Sequence, residues 1–256
     1  MNKEKKLEEI LKSYKRVIIA FSGGLDSSFL LFFARKILGK ENVKAITIYS
    51  PYKISEKMLK ETKNIANFIG VEQTIFNTEL SEEIKNNPID RCYHCKKEIF
   101  ARIKEIADKE GFILCDGTNY DDLSDYRPGL KALKELDVKS PLLEANFTKK
   151  DIKDYSKKYK LPFWNKMPDS CFLTRIPSNT EIKLSTIKMI KRSEEYLKEI
   201  GFNLVRVRVH DNIARIEIGE KEMKKVLKIK TLKKIDIKLK EIGFKYVTLD
   251  CRGYNG

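Results

Sequence analysis

Ser22-Gly23-Gly24-Leu25-Asp26-Ser27-Ser28 is the stretch whose residue types and spacing most directly suggest chemistry. Adjacent glycines let backbone amides come close to an anion, and a helix starting there adds partial positive charge. Ser22, Gly23, Gly24, Asp26, Ser27 and Ser28 are the candidate phosphate contacts. A plain tight turn needs glycine but not the flanking hydroxyls, so phosphate binding is the better reading. The stretch is not a Walker A loop, because no Gly-Lys-Ser/Thr follows at the required spacing. A second group lies at 116–129, where Asp116, Gly117, Asn119, Asp121, Asp122 and Asp125 precede Arg127. Carboxylates in such a loop can hold magnesium on a triphosphate, or order the loop through Asx turns.

The chain has five cysteines. Cys92 and Cys95 form a Cys-x-x-Cys pair, which offers two metal ligands and not four. Cys171 lies in a proline-rich loop, flanked by Lys166 and Arg175, whose charges favour a thiolate. Three thiolates with one open position suit an iron–sulfur cluster or a zinc site. Cys115 ends an apolar strand and reads as a packing residue; Cys251 has no assigned role. An odd count argues against a disulfide framework. Further on, Arg206, Arg208 and His210 recur with period two, so a strand would place them on one face. Such a row of arginines suits phosphate or carboxylate. A solvent-facing edge strand would show the same pattern, and His210 reads as a turn or surface residue.

The elements that must position these residues are legible in outline. Residues 17–21 are apolar without alternation, as in a strand covered on both faces. A helix follows the glycines, with Asp26 or Ser27 as its cap and Phe29, Leu30, Phe33, Ala34 and Ile37 as its apolar stripe. Strands are expected at 43–49, 72–76 and 112–119, with helices at 55–69, 88–110 and 148–160; 138–144 reads as a short strand or loop. Repeating strand–helix units imply an α/β fold with a doubly wound parallel sheet. Ligands of such sheets bind at the carboxyl ends of the strands, where 22–26 and 116–119 both fall. The texture changes at 161–182, which carries prolines and little periodicity. The remainder reads as a helix (184–200), strands (204–210, 214–218), two helices and a last strand (246–249), a smaller α+β domain. The boundaries are 1–165, a loop at 166–182 carrying Cys171, and 183–256.

Hydrophobic residues, 41% of 256, suffice for a core. No apolar run approaches a membrane span, and the charged N-terminus does not read as a signal peptide, so a cytoplasmic protein is expected. The net charge of +15 favours anionic partners. Lysine is spread over many helices, as on solvated faces, so RNA is the less favoured partner.

These residues resemble known families. Ser22 to Ser28 is similar to the signature loop of the PP-loop ATP pyrophosphatases. Within that superfamily, residues 116–129, 169–177, 205–218 and 249–256 together resemble the LarE family, sulfur-insertion enzymes of lactate racemase cofactor synthesis. The resemblance spans nearly the whole chain. It implies that ATP, with Mg2+, adenylates a carboxylate of pyridinium-3,5-biscarboxylic acid mononucleotide, and that sulfur then displaces AMP to give a thiocarboxylate. It implies two sulfur routes. In some members the cysteine at the place of Cys171 gives up its own sulfur and becomes dehydroalanine. In others three cysteines hold a 4Fe–4S cluster, and Cys92, Cys95 and Cys171 fit that type, with sulfide or another donor supplying the sulfur. The resemblance makes Cys171, Asp26 and Arg175 the candidate catalytic residues. It adds Asp116, Gly117 and Asn119 to the nucleotide contacts, Arg175, Arg206, Arg208 and Glu217 to the substrate contacts, and Asp26 with Glu194 to the magnesium site. It also implies a homo-oligomer. The rival readings are a tRNA thiolase, an ammonia-using ligase of the NAD or GMP synthetase kind, and a non-enzymatic nucleotide sensor.

Overall fold

The computed structural model describes residues 2–123, 128–167 and 170–254; Asp125 and Arg127 lie outside the described residues. In chain order, helix α1 (Lys3–Tyr14) precedes β1 (Val17–Ala20), α2 (Leu25–Leu38), β2 (Val43–Tyr49), α3 (Glu56–Ile69), β3 (Glu72–Asn77), a short α4 (Glu82–Lys85), α5 (Arg91–Glu110) and β4 (Ile113–Cys115). Then come α6 (Pro128–Glu135), α7 (Pro141–Glu144), α8 (Lys149–Lys158), α9 (Leu184–Glu199), β5 (Val205–His210), β6 (Ile213–Ile218), α10 (Met223–Val226), α11 (Ile229–Ile242) and β7 (Tyr246–Leu249). Among the described residues, no helix is long and apolar enough to cross a membrane.

The chain divides into two compact units. The first holds Met1–Ser50, Ser55–Glu79 and Asp90–Asp169. Its sheet is parallel throughout, in the order β3-β2-β1-β4. The chain therefore runs outward from β1 to β3, then returns to the other side of β1 for β4. This reversal between β1 and β4 is the switch point of an α/β doubly wound sheet, as the sequence predicts. Strand β1 is buried on both faces. Val17 and Ile19 join Leu7, Leu11, Phe29 and Phe33, while Ile18 joins Phe100, Ile103, Leu114 and Leu133. Burial on both sides explains why its sequence shows no alternation.

Local details depart from the sequence reading. Helix α2 is capped by Gly24, extended at φ −70° and ψ 167°, which brings no capping side chain of its own. Asp26 and Ser27 sit inside the first turn instead of capping it. The segment 112–119, expected as a strand ending in a polar loop, has its strand at Ile113–Cys115, and the polar loop begins at Asp116 with side-chain bonds. Residues 138–144 form one bridge, Cys115 to Lys139, then the short helix α7 with Pro141 in its first turn, a position that tolerates the missing amide hydrogen.

The second unit holds Pro51–Ile54, Leu80–Ile89 and Ser170–Gly256. Its sheet has the order β5-β6-β7, with β5 and β6 antiparallel and β6 and β7 parallel. Val205, Val207, Val209, Ala214, Ile216 and Ile218 are buried and alternate with Arg206, Arg208, Arg215 and Glu217 on the opposite face. Helices α9 and α11 pack against this sheet. The two excursions from the first half of the chain are tied in by hydrogen bonds. Ile182 N–H donates to Lys85 O at 2.8 Å, and Asn87 Nδ2 donates to Ile176 O and Pro177 O, each at 2.9 Å.

Candidate active site

The nucleotide loop follows directly from the end of β1. Phe21 N–H still donates to Ile46 O at 2.8 Å, and the chain then turns at Gly23, φ +71°. A methyl group on Gly23 would stand 2.6 Å from Thr62 Cγ2, so both conformation and space require glycine. Ser22 Oγ accepts the Gly24 amide at 3.3 Å and lies 3.0 Å from Ser27 Oγ, which donates to Gly24 O at 3.3 Å. Ser28 is fully buried and its hydroxyl has no partner among the described residues. Beneath the loop runs a polar chain that the sequence reading missed. Gln73 Nε2 donates to Thr47 Oγ1 at 2.7 Å and to Thr62 Oγ1 at 2.9 Å, and Thr47 Oγ1 donates to Phe21 O at 2.7 Å.

The loop after β4 meets this turn, as its place at the switch point predicts. Asn119 Nδ2 donates to Asp26 Oδ2 at 3.0 Å, which joins the two predicted groups. Gly117 brings backbone against backbone: a methyl group there would stand 2.9 Å from Ser27 N and 3.1 Å from Ser27 Cα. The other acidic residues order the loop. Asp116 accepts the Thr118 hydroxyl and, at 2.6 Å, the Ser140 hydroxyl. Asp122 Oδ2 accepts the Asn119 amide at 3.1 Å, and Asp121 Oδ2 accepts the Lys149 amide at 2.8 Å. The three carboxylates order the loop by bonds other than Asx turns; the Asx turn here is made by Asn119, whose Oδ1 accepts the Asp121 amide at 3.0 Å. Cys115, just before them, is fully buried, and that burial pushes its thiol well above the usual range, with the Asp116 charge adding to it. It is a packing residue, as expected.

In the second unit, Cys171 precedes a single 3-10 turn, Phe172–Arg175. The Arg175 side chain is fully buried. Its Nε and Nη2 donate to the two Glu194 oxygens at 2.9 and 3.3 Å, and Nη1 donates to Ser170 O at 3.0 Å and Cys171 O at 3.1 Å. Glu194 also accepts the Val207 amide at 3.0 Å. The expected roles of Arg175 in substrate contact and of Glu194 in magnesium binding therefore meet an ion pair that occupies both groups. Arg206 is 3% exposed, donates to Val205 O at 2.9 Å and lies over the Tyr254 ring. Arg208 is more open; it donates to Glu217 Oε1 at 2.5 Å and Thr174 O at 2.7 Å. Glu217 Oε1 also accepts Arg215 Nη2 at 3.0 Å, and its Oε2 has no partner among the described residues. Arg215 stands opposite Arg208 in the ladder and was not singled out from sequence. Its spacing within β6, two before Glu217, was the available signal. His210 is exposed at the end of β5.

The cysteines are distributed over both units. Cys92 and Cys95, exposed and half-buried, lie three residues apart at the start of α5, and Cys171 is half-buried in the second unit. Among the described residues, no three His, Cys, Asp or Glu side chains come together as a metal-binding group. Lys166, expected beside Cys171, pairs with Glu61 at 2.9 Å within the first unit.

Residues 3–107 match the NAD synthase family, a span that contains the whole Ser22–Ser28 loop. A Synechocystis protein named only as uncharacterised is 35% identical over 257 residues, 98% of this chain and 95% of its own. The pyridinium-3,5-bisthiocarboxylic acid mononucleotide synthase of Lactiplantibacillus plantarum is 36% identical over 255 residues, 98% of this chain and 91% of its own. The chain belongs to the LarE family. An uncharacterised protein of Methanocaldococcus jannaschii is also 36% identical, over 86% of this chain and 84% of its own. The first unit of this LarE-family chain is a PP-loop domain of the ATP pyrophosphatase type, and the protein is an ATP-dependent enzyme.

Proposed function

We propose that the protein is an ATP-dependent sulfurtransferase that converts a carboxylate of pyridinium-3,5-biscarboxylic acid mononucleotide to a thiocarboxylate. The observation that carries this reading is the 36% identity, over 98% of the chain, to the Lactiplantibacillus synthase. A substrate carboxylate oxygen attacks the α-phosphorus of ATP, and the bond to pyrophosphate breaks. A sulfur nucleophile then adds to the acyl carbon, and AMP leaves with the former carboxylate oxygen. Charge builds on the departing pyrophosphate, so the first step needs donors already in place. The first-turn amides of α2 and the hydroxyls of Ser22 and Ser27 can supply them, with the buried Ser28 behind them.

Magnesium would screen the same charge. It commonly uses one or two carboxylates plus substrate phosphates, which suits Asp26, oriented by Asn119, and does not require Glu194. For the substrate's anionic groups the proposed contact is Arg208, whose side chain is 31% exposed, with Glu217 orienting it. Arg206 serves as a buried support.

For the sulfur carrier the proposal is a 4Fe–4S cluster on Cys92, Cys95 and Cys171. Its support is the pair of thiols at the start of α5, Cys92 exposed and Cys95 half-buried, with the half-buried Cys171 as a third ligand. Anaerobic purification with iron and sulfide assays tests it, and dehydroalanine at position 171 after one turnover would replace it with a sacrificial cysteine. A cytoplasmic setting that keeps thiols reduced belongs to the same proposal. So does a homo-oligomer, which light scattering would check. The reading as a whole is tested by product chromatography: substrate-dependent AMP and pyrophosphate are expected, and ADP would sink it.

A further inference from the structure

We propose that Glu194 is a positioning residue for Cys171, acting through Arg175, whose guanidinium it holds so that Nη1 clamps the backbone carbonyls of Ser170 and Cys171. The proposal rests on the reading that Cys171 serves sulfur transfer, whether as donor or as ligand.

The geometry is a chain of fixed contacts. The Val207 N–H, part of the β5 backbone, donates to Glu194 Oε1 at 3.0 Å, which anchors the carboxylate to the sheet. Glu194 then takes Arg175 at two points, Nε at 2.9 Å and Nη2 at 3.3 Å, and two-point pairing sets the plane of a guanidinium. With that plane set, Nη1 is directed at Ser170 O at 3.0 Å, Ser170 Oγ at 2.6 Å, Cys171 O at 3.1 Å and Thr174 Oγ1 at 2.9 Å. The cysteine-bearing segment is thereby registered to the β-sheet through side chains alone. Arg208 adds a second hold from β5, donating to Thr174 O at 2.7 Å.

Burial decides between this role and direct contact. The Arg175 and Glu194 side chains are 0% and 3% exposed, so neither presents an atom to a substrate. A buried ion pair is also a poor source of stability, since a well-packed apolar pair of similar volume does as well or better. What such a pair supplies is a defined geometry, and the groups it defines here are the carbonyls on either side of Cys171. Lysine at position 175 could not do the same, because a point charge lacks the planar fork that serves Glu194 and the loop together.

The test is the double variant Arg175→Met/Glu194→Gln, which leaves no unpaired buried charge and keeps an amide oxygen for the Val207 N–H. Melting temperature and substrate-dependent exchange of pyrophosphate into ATP should stay near wild type. Thiocarboxylate formation should fall about ten- to a hundredfold, the loss expected when a reacting group is misplaced by a fraction of an ångström to an ångström. Alkylation of Cys171 by iodoacetamide, followed by peptide mass spectrometry, should accelerate severalfold while that of Cys251 is unchanged. Wild-type alkylation of Cys171 in the folded variant would overturn the proposal, even with transfer lost. If the double variant does not fold, Arg175→Lys keeps a charge beside Glu194 but lacks the planar fork, and should accelerate Cys171 alkylation in the same direction; an unchanged rate overturns it. Failure of wild-type protein to exchange pyrophosphate would instead count against the functional reading, and the alkylation result stands apart from that.

Discussion

Replacing Gly117 by alanine puts a methyl carbon 2.9 Å from the Ser27 amide nitrogen, 3.1 Å from Ser27 Cα and 3.3 Å from the Asp26 carbonyl carbon. These are backbone atoms of the first turn of α2 and cannot swing aside as a side chain would. Ordinary contact begins at 3.4 Å, so the loop after β4 and the start of α2 must separate by about half an ångström. Overpacking of this kind costs about 1–3 kcal/mol. The displacement falls on the amides and hydroxyls proposed to hold the pyrophosphate, and on the 3.0 Å bond from Asn119 to Asp26. A misplacement of about 1 Å can cost on the order of a hundredfold in rate, so about tenfold or more is expected here. Gly117→Ala should therefore retain its circular dichroism spectrum, melt a few degrees lower, and lose at least that factor in substrate-dependent pyrophosphate release. Wild-type rate and melting temperature together would refute the close-approach argument.

Asp26→Asn should abolish pyrophosphate release with little change in melting temperature, because the carboxylate is half-buried at the loop and is no part of the core; an intact rate would remove Asp26 from the chemistry. Asp151 is held below the ordinary aspartate range: burial opposes this, but bonds from Lys3 and Thr148 outweigh it. Its contribution to stability is therefore present above the unfolded value, about 3.9, and lost as pH falls through the lowered folded value. Thr148→Ala should cost about 0.5–2 kcal/mol through the lost capping box, and Asp151→Asn should flatten the acid limb of a melting profile; an unaltered limb would contradict this. Cys115 should resist iodoacetamide in the native protein while Cys251 reacts, since burial holds its thiol protonated; rapid native labelling of Cys115 would show that the strand is not sealed.

How much of this was legible in the sequence depends on the range of the interaction. Gly23 and Gly24 interrupt a strand buried on both faces, and a local signal of that kind survives without any partner. The meeting of Asn119 with Asp26 was legible only as two strand ends at one switch point. Thr47, Gln73 and Thr62 were not legible, because hydroxyls in β2 and α3 read as ordinary strand and helix residues until the loop lies above them. Arg175 was noticed for its charge beside Cys171, yet its burial depends on Glu194 in α9. Arg206 and Arg208 look equivalent by period two, yet Arg206 is buried against the Tyr254 ring while Arg208 stays partly exposed and pairs with Glu217. Nothing in the composition of 51–54 or 80–89 signals that they fold with the second unit. The bonds that place them there join residues far apart in the chain, such as Asn87 with Ile176.

The central claim is that a substrate carboxylate is adenylated before sulfur enters. Heavy-oxygen label in the carboxylates of pyridinium-3,5-biscarboxylic acid mononucleotide tests it most directly. If the carboxylate oxygen attacks the α-phosphorus and sulfur later displaces AMP, one labelled oxygen must leave in the phosphate of AMP. Mass spectrometry of the nucleotide product should show that single label, in proportion to thiocarboxylate formed. Unlabelled AMP, or label in pyrophosphate or inorganic phosphate, would contradict the account.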